Sequence, residues 1–175
     1  MHNPVYNRKH EIIISAVTNL DIHDLGRLAA TYGLTRLYLI TPLTDQQSLA
    51  RRIIDYWVTG TGGKLNPDRA LALRTLAIMD DLDQTLADIE GREGVRPRIF
   101  ITGANLSNGT IGYEKGRELI HSPTPSLLLF GTGWGLADEI KPYADYALDP
   151  IKGRTGYNHL SVRSAASIIL DRLLA

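Results

Sequence analysis

The chain has 175 residues, of which 43% are hydrophobic and 22% charged, proportions of an ordinary globular protein rather than a disordered segment or a coiled coil. It contains no cysteine, which removes disulfides, thiolate metal sites and cysteine nucleophiles from consideration. Lys and Arg balance Asp and Glu at 19 each, so no overall charge draws the chain to nucleic acid, although phosphate binding needs only a local patch.

The length predicts a single domain over 1–175. The polar N-terminus and the lack of any apolar run of about 18 residues predict neither a signal peptide nor a membrane span, and hence a cytoplasmic protein. Basic clusters occur at Arg8-Lys9-His10, Arg51-Arg52, 92–98 and 152–154; such groups are more often solvated surface than binding sites.

Residues 11–17, Glu-Ile-Ile-Ile-Ser-Ala-Val, read as a short buried strand. A helix follows, capped by Asn19 or Asp21, with Ile22, Leu25, Leu28 and Ala29 at helical spacing and Gly33 as its stop. Residues 35–41 form a second strand ended by Pro42. Asp45 opens a helix with Leu49, Ile53, Ile54 and Trp57 on one face, and a glycine loop at 60–63 stops it. Asn66-Pro67 caps a leucine-rich stretch running to Ile89, which Asp80-Asp81 divides into two helices. Then come a strand at 98–102, a helix at 113–120, an apolar strand at 126–130, a helical turn after Gly135 and a strand at 146–148. A final amphipathic helix spans 158–173, with Leu160, Ala165, Ile168, Ile169 and Leu173 available for burial and Asn158 placed to cap it. This alternation predicts an α/β fold with a mostly parallel sheet covered by helices on both faces.

Ligands of parallel sheets bind at the carboxyl ends of the strands. Two loops there stand out. Gly131-Thr-Gly-Trp-Gly-Leu136 places three glycines within five residues directly after a strand, letting backbone amides approach a ligand, or else simply making a tight turn. Its spacing is not that of a dinucleotide fingerprint, and 60–64 lacks the residues of a phosphate-binding loop. The second loop runs from Asp149 to His159 between a strand and an apolar helix, long enough to suggest function. His159 lies where that loop meets the helix; a lone histidine is more often structural than catalytic. His2, His10, His23, His121 and His159 are scattered, so no metal site is expected.

On these residues the chain resembles the SPOUT, or α/β-knot, methyltransferases, and within them a bacterial branch of S-adenosylmethionine-dependent RNA methyltransferases. The resemblance runs through Pro4-Val-Tyr6, 17–24, Thr31-Tyr-Gly33, 130–136 and Tyr157-Asn-His-Leu-Ser-Val-Arg163. It implies a C-terminal trefoil knot, a rare exception among folds, a homodimer, S-adenosylmethionine as cofactor and tRNA or rRNA as substrate, methylated on a base or a ribose. The implied cofactor pocket is built by three loops: Thr102 and Gly103 from the first; Phe130, Gly131, Thr132, Gly133, Gly135 and Leu136 from the second; Leu148, Pro150, Ile151, Tyr157, Asn158 and His159 from the third. Leu136, Leu148 and Ile151 would cover the purine faces.

Arg27 falls where many members have the arginine of an Arg-Thr-Ala-x-x-Phe-Gly segment, which contacts RNA or activates the nucleophile. The glycine loop replaces a Phe-Gly-x-Glu motif, with Gly133 at the glutamate, and His159 stands at an asparagine of the C-terminal motif. If the acceptor loses a proton, Arg27, Asp24 or His159 would orient or accept it; a normally ionised arginine suits phosphate or an acceptor oxygen better. Two other functions fit the same features: a knot-fold cofactor-binding protein without catalysis, and a small-molecule methyltransferase.

Overall fold

The computed structural model describes residues 4–175; residues 1–3, His2 among them, lie outside the described residues. The chain opens with an antiparallel hairpin of two short strands, β1 (Val5–Tyr6) and β2 (Ile12–Ile13). The Asn7 side chain accepts hydrogen bonds from the Lys9 and Glu11 amides across the turn. This corrects the expected buried strand over 11–17: only Ile12-Ile13 is strand, and these side chains are 54% and 37% exposed. Closing a short local turn costs less chain entropy than long-range parallel pairing, and here the local pairing holds β2.

Helix α1 (Asn19–Thr31) is capped by Thr18 rather than by Asn19 or Asp21, in a box where Asp21 bonds back to the cap. It buries Ile22, Leu25 and Ala29. There follow β3 (Leu37–Ile40), α2 (Thr44–Val58), α3 (Thr61–Leu65) and α4 (Pro67–Leu73). The glycines at 60–63 end α2 as expected but also begin the short α3, and α2 buries Gln47 and Ala50 while Leu49 is 44% exposed.

The leucine-rich stretch to Ile89 does hold two helices, the second capped by Asp81, but they are not all of it. Between α4 and α5 (Leu82–Glu93) it contains a strand, β4 (Leu76–Met79), paired parallel to β3 with Leu37 opposite Leu76. Four apolar residues in a row carry no period that separates strand from helix.

The second half supplies β5 (Arg98–Ile101), β6 (Thr110–Ile111), α6 (Tyr113–Ile120), β7 (Ser126–Leu129), a 3₁₀ helix at Asp138–Tyr143, β8 (Tyr146–Leu148) and α7 (Val162–Leu174). Four of these strands form a parallel sheet in the order β6-β8-β5-β7, so β8 lies between β5 and β6 although it comes after both in the chain. Helix α7 starts later than expected: Ser161 caps it, accepting from the Ser164 amide at 3.2 Å, and Leu160 is left 46% exposed. Phe100, Leu148, Ile169 and Leu173 make a buried cluster between this sheet and α7. The free edges of β3 and β7 border a cavity of about 500 Å³ closed by α1, α5 and α7. The fold is α/β, with parallel sheets and packed helices.

Candidate cofactor-binding site

The loops leaving the carboxyl ends of β5, β7 and β8 meet in one cavity of about 460 Å³, a size within the range of small-molecule sites. Parallel neighbours bring this about, because strands running the same way put all their exit loops on one edge.

The loop after β7 is held by its glycines. A Cβ on Gly131 would stand 2.5 Å from the Leu136 amide nitrogen and 2.7 Å from the Gly135 carbonyl carbon, so no larger residue fits the turn. Gly133 has φ +59, in the left-handed region that glycine enters without penalty. The N-terminal hairpin clamps this loop from outside. The Tyr6 amide donates to the Gly135 carbonyl at 3.0 Å, and the Trp134 amide donates to the Tyr6 carbonyl at 2.9 Å. Val5 beneath is fully buried.

Within the loop, the Thr132 hydroxyl is buried and has no hydrogen-bond partner among the described residues. Burying a hydroxyl unsatisfied is costly, and Thr132 is among the residues that line the cavity. Asp149 enters at the end of β8, where its carboxylate accepts from the Thr110 hydroxyl and its carbonyl from the Tyr113 hydroxyl at 3.0 Å; burial pushes the Tyr113 phenol above its usual range. The Asn158 amide donates to the Ala104 carbonyl at 3.3 Å, tying the third loop to the first instead of capping α7. At the rim, Lys141 pairs with Asp138 at 2.7 Å and, through that hydrogen bond first, holds the exposed carboxyl below the usual carboxylate range.

Of the residues expected at the cofactor, Thr102, Gly103, Phe130, Gly131, Thr132, Gly133, Gly135 and Leu136 line this cavity together with Pro150, Ile151, Asn158 and His159. The His159 ring stands edge-on to Trp134 with centroids 5.2 Å apart. Leu148 and Tyr157 do not line it. Leu148 is 1% exposed in the core beneath, so it supports the site and cannot cover a purine face, while Tyr157 is 74% exposed. Asp24 and Arg27 also stand outside the lining. The Asp24 carboxylate accepts from the Arg163 guanidinium at 2.7 Å, and the same guanidinium lies 3.4 Å from Asp21; Arg27 is exposed on α1.

Sequence reasoning missed the contribution of the N-terminal hairpin, whose Tyr6 and His10 line the cavity, and of Asp138 and Lys141. Asn7 ahead of a turn was the local signal for the hairpin, but nothing local shows that it packs against Trp134, Gly135 and Asp138. The cavity fits a cofactor with a purine, a ribose and a charged tail: its lining holds apolar side chains, the glycine loop with its unpaired Thr132 hydroxyl, and carboxylates. Among the described residues, no group of three or more His, Asp and Glu side chains is placed to hold a metal ion, and no helix is long and apolar enough to cross a membrane.

A family model described as "SAM-dependent RNA methyltransferase" matches residues 1–175. A relative from Oleidesulfovibrio alaskensis named tRNA (guanine-N(1)-)-methyltransferase is 42% identical over 174 residues, covering 99% of this chain and 40% of the relative. The chain thus spans about two-fifths of that relative's length. Among solved structures, a probable methylase family protein from Haemophilus influenzae superposes with a TM-score of 0.62 at 18% identity, covering 90% of this chain and 61% of that one. The SpoU methyltransferase AviRb from Streptomyces viridochromogenes, in complex with the cofactor AdoMet, gives 0.58 at 16% identity, covering 91% and 54%. At such identities these structures show a shared fold.

Proposed function

The chain belongs to the family of SAM-dependent RNA methyltransferases, and from that premise we propose that it methylates tRNA at N1 of a guanine, holding S-adenosylmethionine in the cavity between the β5, β7 and β8 loops. The observation that carries the choice of target is the 42% identity, across 99% of this chain, to a relative named for that reaction. The cofactor supplies an electrophilic methyl group on a sulfonium. Displacement at such a carbon needs alignment more than covalent help, and alignment to about 3 Å supplies most of the acceleration.

In this reading the amides of 131–136 and the Thr132 hydroxyl hold the adenosine, Leu136 and Ile151 cover its ring, and Asp149 takes the cationic amine of the tail. Guanine N1 must lose its proton to accept a methyl group. His159, at the cavity wall, is the proposed acceptor of that proton. Asp24 is engaged by Arg163 and acts by placing the start of α7, which carries the cavity residues Ser161 and Val162. Arg27, exposed and outside its own cavity, would bind RNA phosphate at the site of a second copy in a homodimer. Exposed Trp134 and Leu160, each 46% accessible, support such an apolar interface. The insertion of β8 between β5 and β6, which are already joined by a loop, supports a trefoil knot. We read residues 1–175 as one domain working in the cytoplasm.

The test is transfer of tritiated methyl from S-adenosylmethionine to unmodified tRNA transcripts, followed by nucleoside analysis. Label in 1-methylguanosine is the expected outcome. Saturable cofactor binding without label in tRNA or rRNA would overturn the assignment.

A further inference from the structure

His10 is the one non-glycine residue among those described with a positive φ, at +64. Glycine enters this region freely, whereas a side chain with a Cβ is strained there, and such outliers concentrate at functional sites. The turn holds it in place: the His10 amide donates to the Asn7 carbonyl at 3.0 Å, while the Asn7 side chain accepts from Lys9 and Glu11. The strained backbone lays the imidazole flat on Tyr6, with ring centroids 4.0 Å apart and 16° between planes. Tyr6 is itself pinned, because its hydroxyl accepts from the Asp138 amide at 3.2 Å and its backbone pairs with Gly135 and Trp134.

Both rings line the cavity formed by the glycine loop. One face of the imidazole is covered by Tyr6 and the residue is exposed, so the other face is open to a flat partner. Arg8 and Lys9, in the same turn, are exposed. A stack of flat rings with an open face, flanked by exposed cations, is the chemistry that recognises an unpaired base and its neighbouring phosphates in single-stranded RNA. A regular duplex has no splayed base to offer it.

We propose that the Tyr6–His10 stack is a platform for an unpaired RNA base at the mouth of the cofactor cavity, with Arg8 and Lys9 on the flanking phosphates. The inference rests on the reading of this chain as an RNA methyltransferase and names what that reading leaves open: how the RNA is presented. Glycine would suit the turn better at this position but would bring no ring.

The test uses the full chain and a single-stranded RNA oligonucleotide carrying 2-aminopurine, whose fluorescence is quenched on stacking. His10→Gly and His10→Asn both suit a left-handed backbone, so the turn survives while the ring is lost. Wild type quenches the probe. Both variants lose the quench and bind the oligonucleotide about tenfold or more weakly, as expected for one stacked base, a larger loss than either shows in its calorimetric affinity for S-adenosylmethionine. Equal quench and affinity in wild type and variants would overturn the platform. So would weakened cofactor binding with RNA binding intact, which would assign the stack to the cofactor. Wild type that binds cofactor without quenching the probe refutes the platform alone. Quenching that depends on His10 in a protein that binds no cofactor upholds the platform and refutes the proposed methyl transfer.

Discussion

Replacing Gly131 with alanine puts one methyl group into the turn that shapes the cofactor cavity. The new Cβ would lie 2.5 Å from the Leu136 amide nitrogen and 2.7 Å from the Gly135 carbonyl carbon, where ordinary contact begins at 3.4 Å. The loop must therefore open by about 0.9 Å, and the obstructing atoms are backbone, which does not swing away as a side-chain tip would. Overpacking of this kind costs about 1–3 kcal/mol, and a displacement near 1 Å in a positioning loop can cost about 100-fold in function. Gly131→Ala should weaken S-adenosylmethionine binding by about 10- to 100-fold in isothermal calorimetry, with a modest fall in melting temperature. Gly91→Ala is the matched control: its Cβ meets nothing within 4 Å, it lies inside α5, and it should gain about 0.5–1 kcal/mol of stability with cofactor binding untouched. A folded Gly131→Ala protein with wild-type affinity would refute the placement of the cofactor against this loop.

Thr132→Ala removes a buried hydroxyl that lacks a partner; without cofactor the variant should melt no lower than wild type, while cofactor affinity falls by about 5- to 10-fold, the worth of one hydrogen bond. Tyr38 donates to Asp88, and burial together with that bond raises its phenol to about 12 from 10.0. Its contribution to stability is complete below pH 10.0 and is lost as pH rises towards 12; Tyr38→Phe should cost about 1 kcal/mol at neutral pH and flatten that alkaline loss in denaturant titrations. His23 moves the other way: burial first, then the Arg69 cation, lowers it from 6.5. The unfolded chain takes the proton first, so this part of the stability is complete above pH 6.5 and declines below it. Melting curves on either side of that pH should show the decline in wild type and lack this component in His23→Asn.

The parts of the fold legible in the sequence are those where pattern and punctuation agree. The helix expected at 113–120 is α6 as observed, set off by Gly112 and His121, and the strand expected at 146–148 is β8. β4 was hidden because Leu76-Ala-Ile-Met79 has no period of its own and sits in a leucine-rich context that reads as helix. Residues 11–17 failed for the opposite reason. Their apolar run has the composition of a buried strand, but the turn at Asn7 pairs Ile12-Ile13 with Val5-Tyr6 before anything distant does. For the site, the rule that ligands sit at strand ends selected the loops that do converge on one cavity. It had no means of finding Tyr6 and His10, whose place depends on β1 docking against the glycine loop. Nor could it find that Arg163 holds Asp24, since that pair spans 139 residues of sequence.

The binding of S-adenosylmethionine among the loops after β5 and β7 is the claim that glycine amides test most directly. Titrating protein labelled with ¹⁵N-glycine and following the amide resonances should move Gly103, Gly131, Gly133 and Gly135 in a saturable way, and leave Gly33 and Gly91 in place. Saturable shifts confined to glycines elsewhere, or none at any glycine of a folded protein, would contradict the claim.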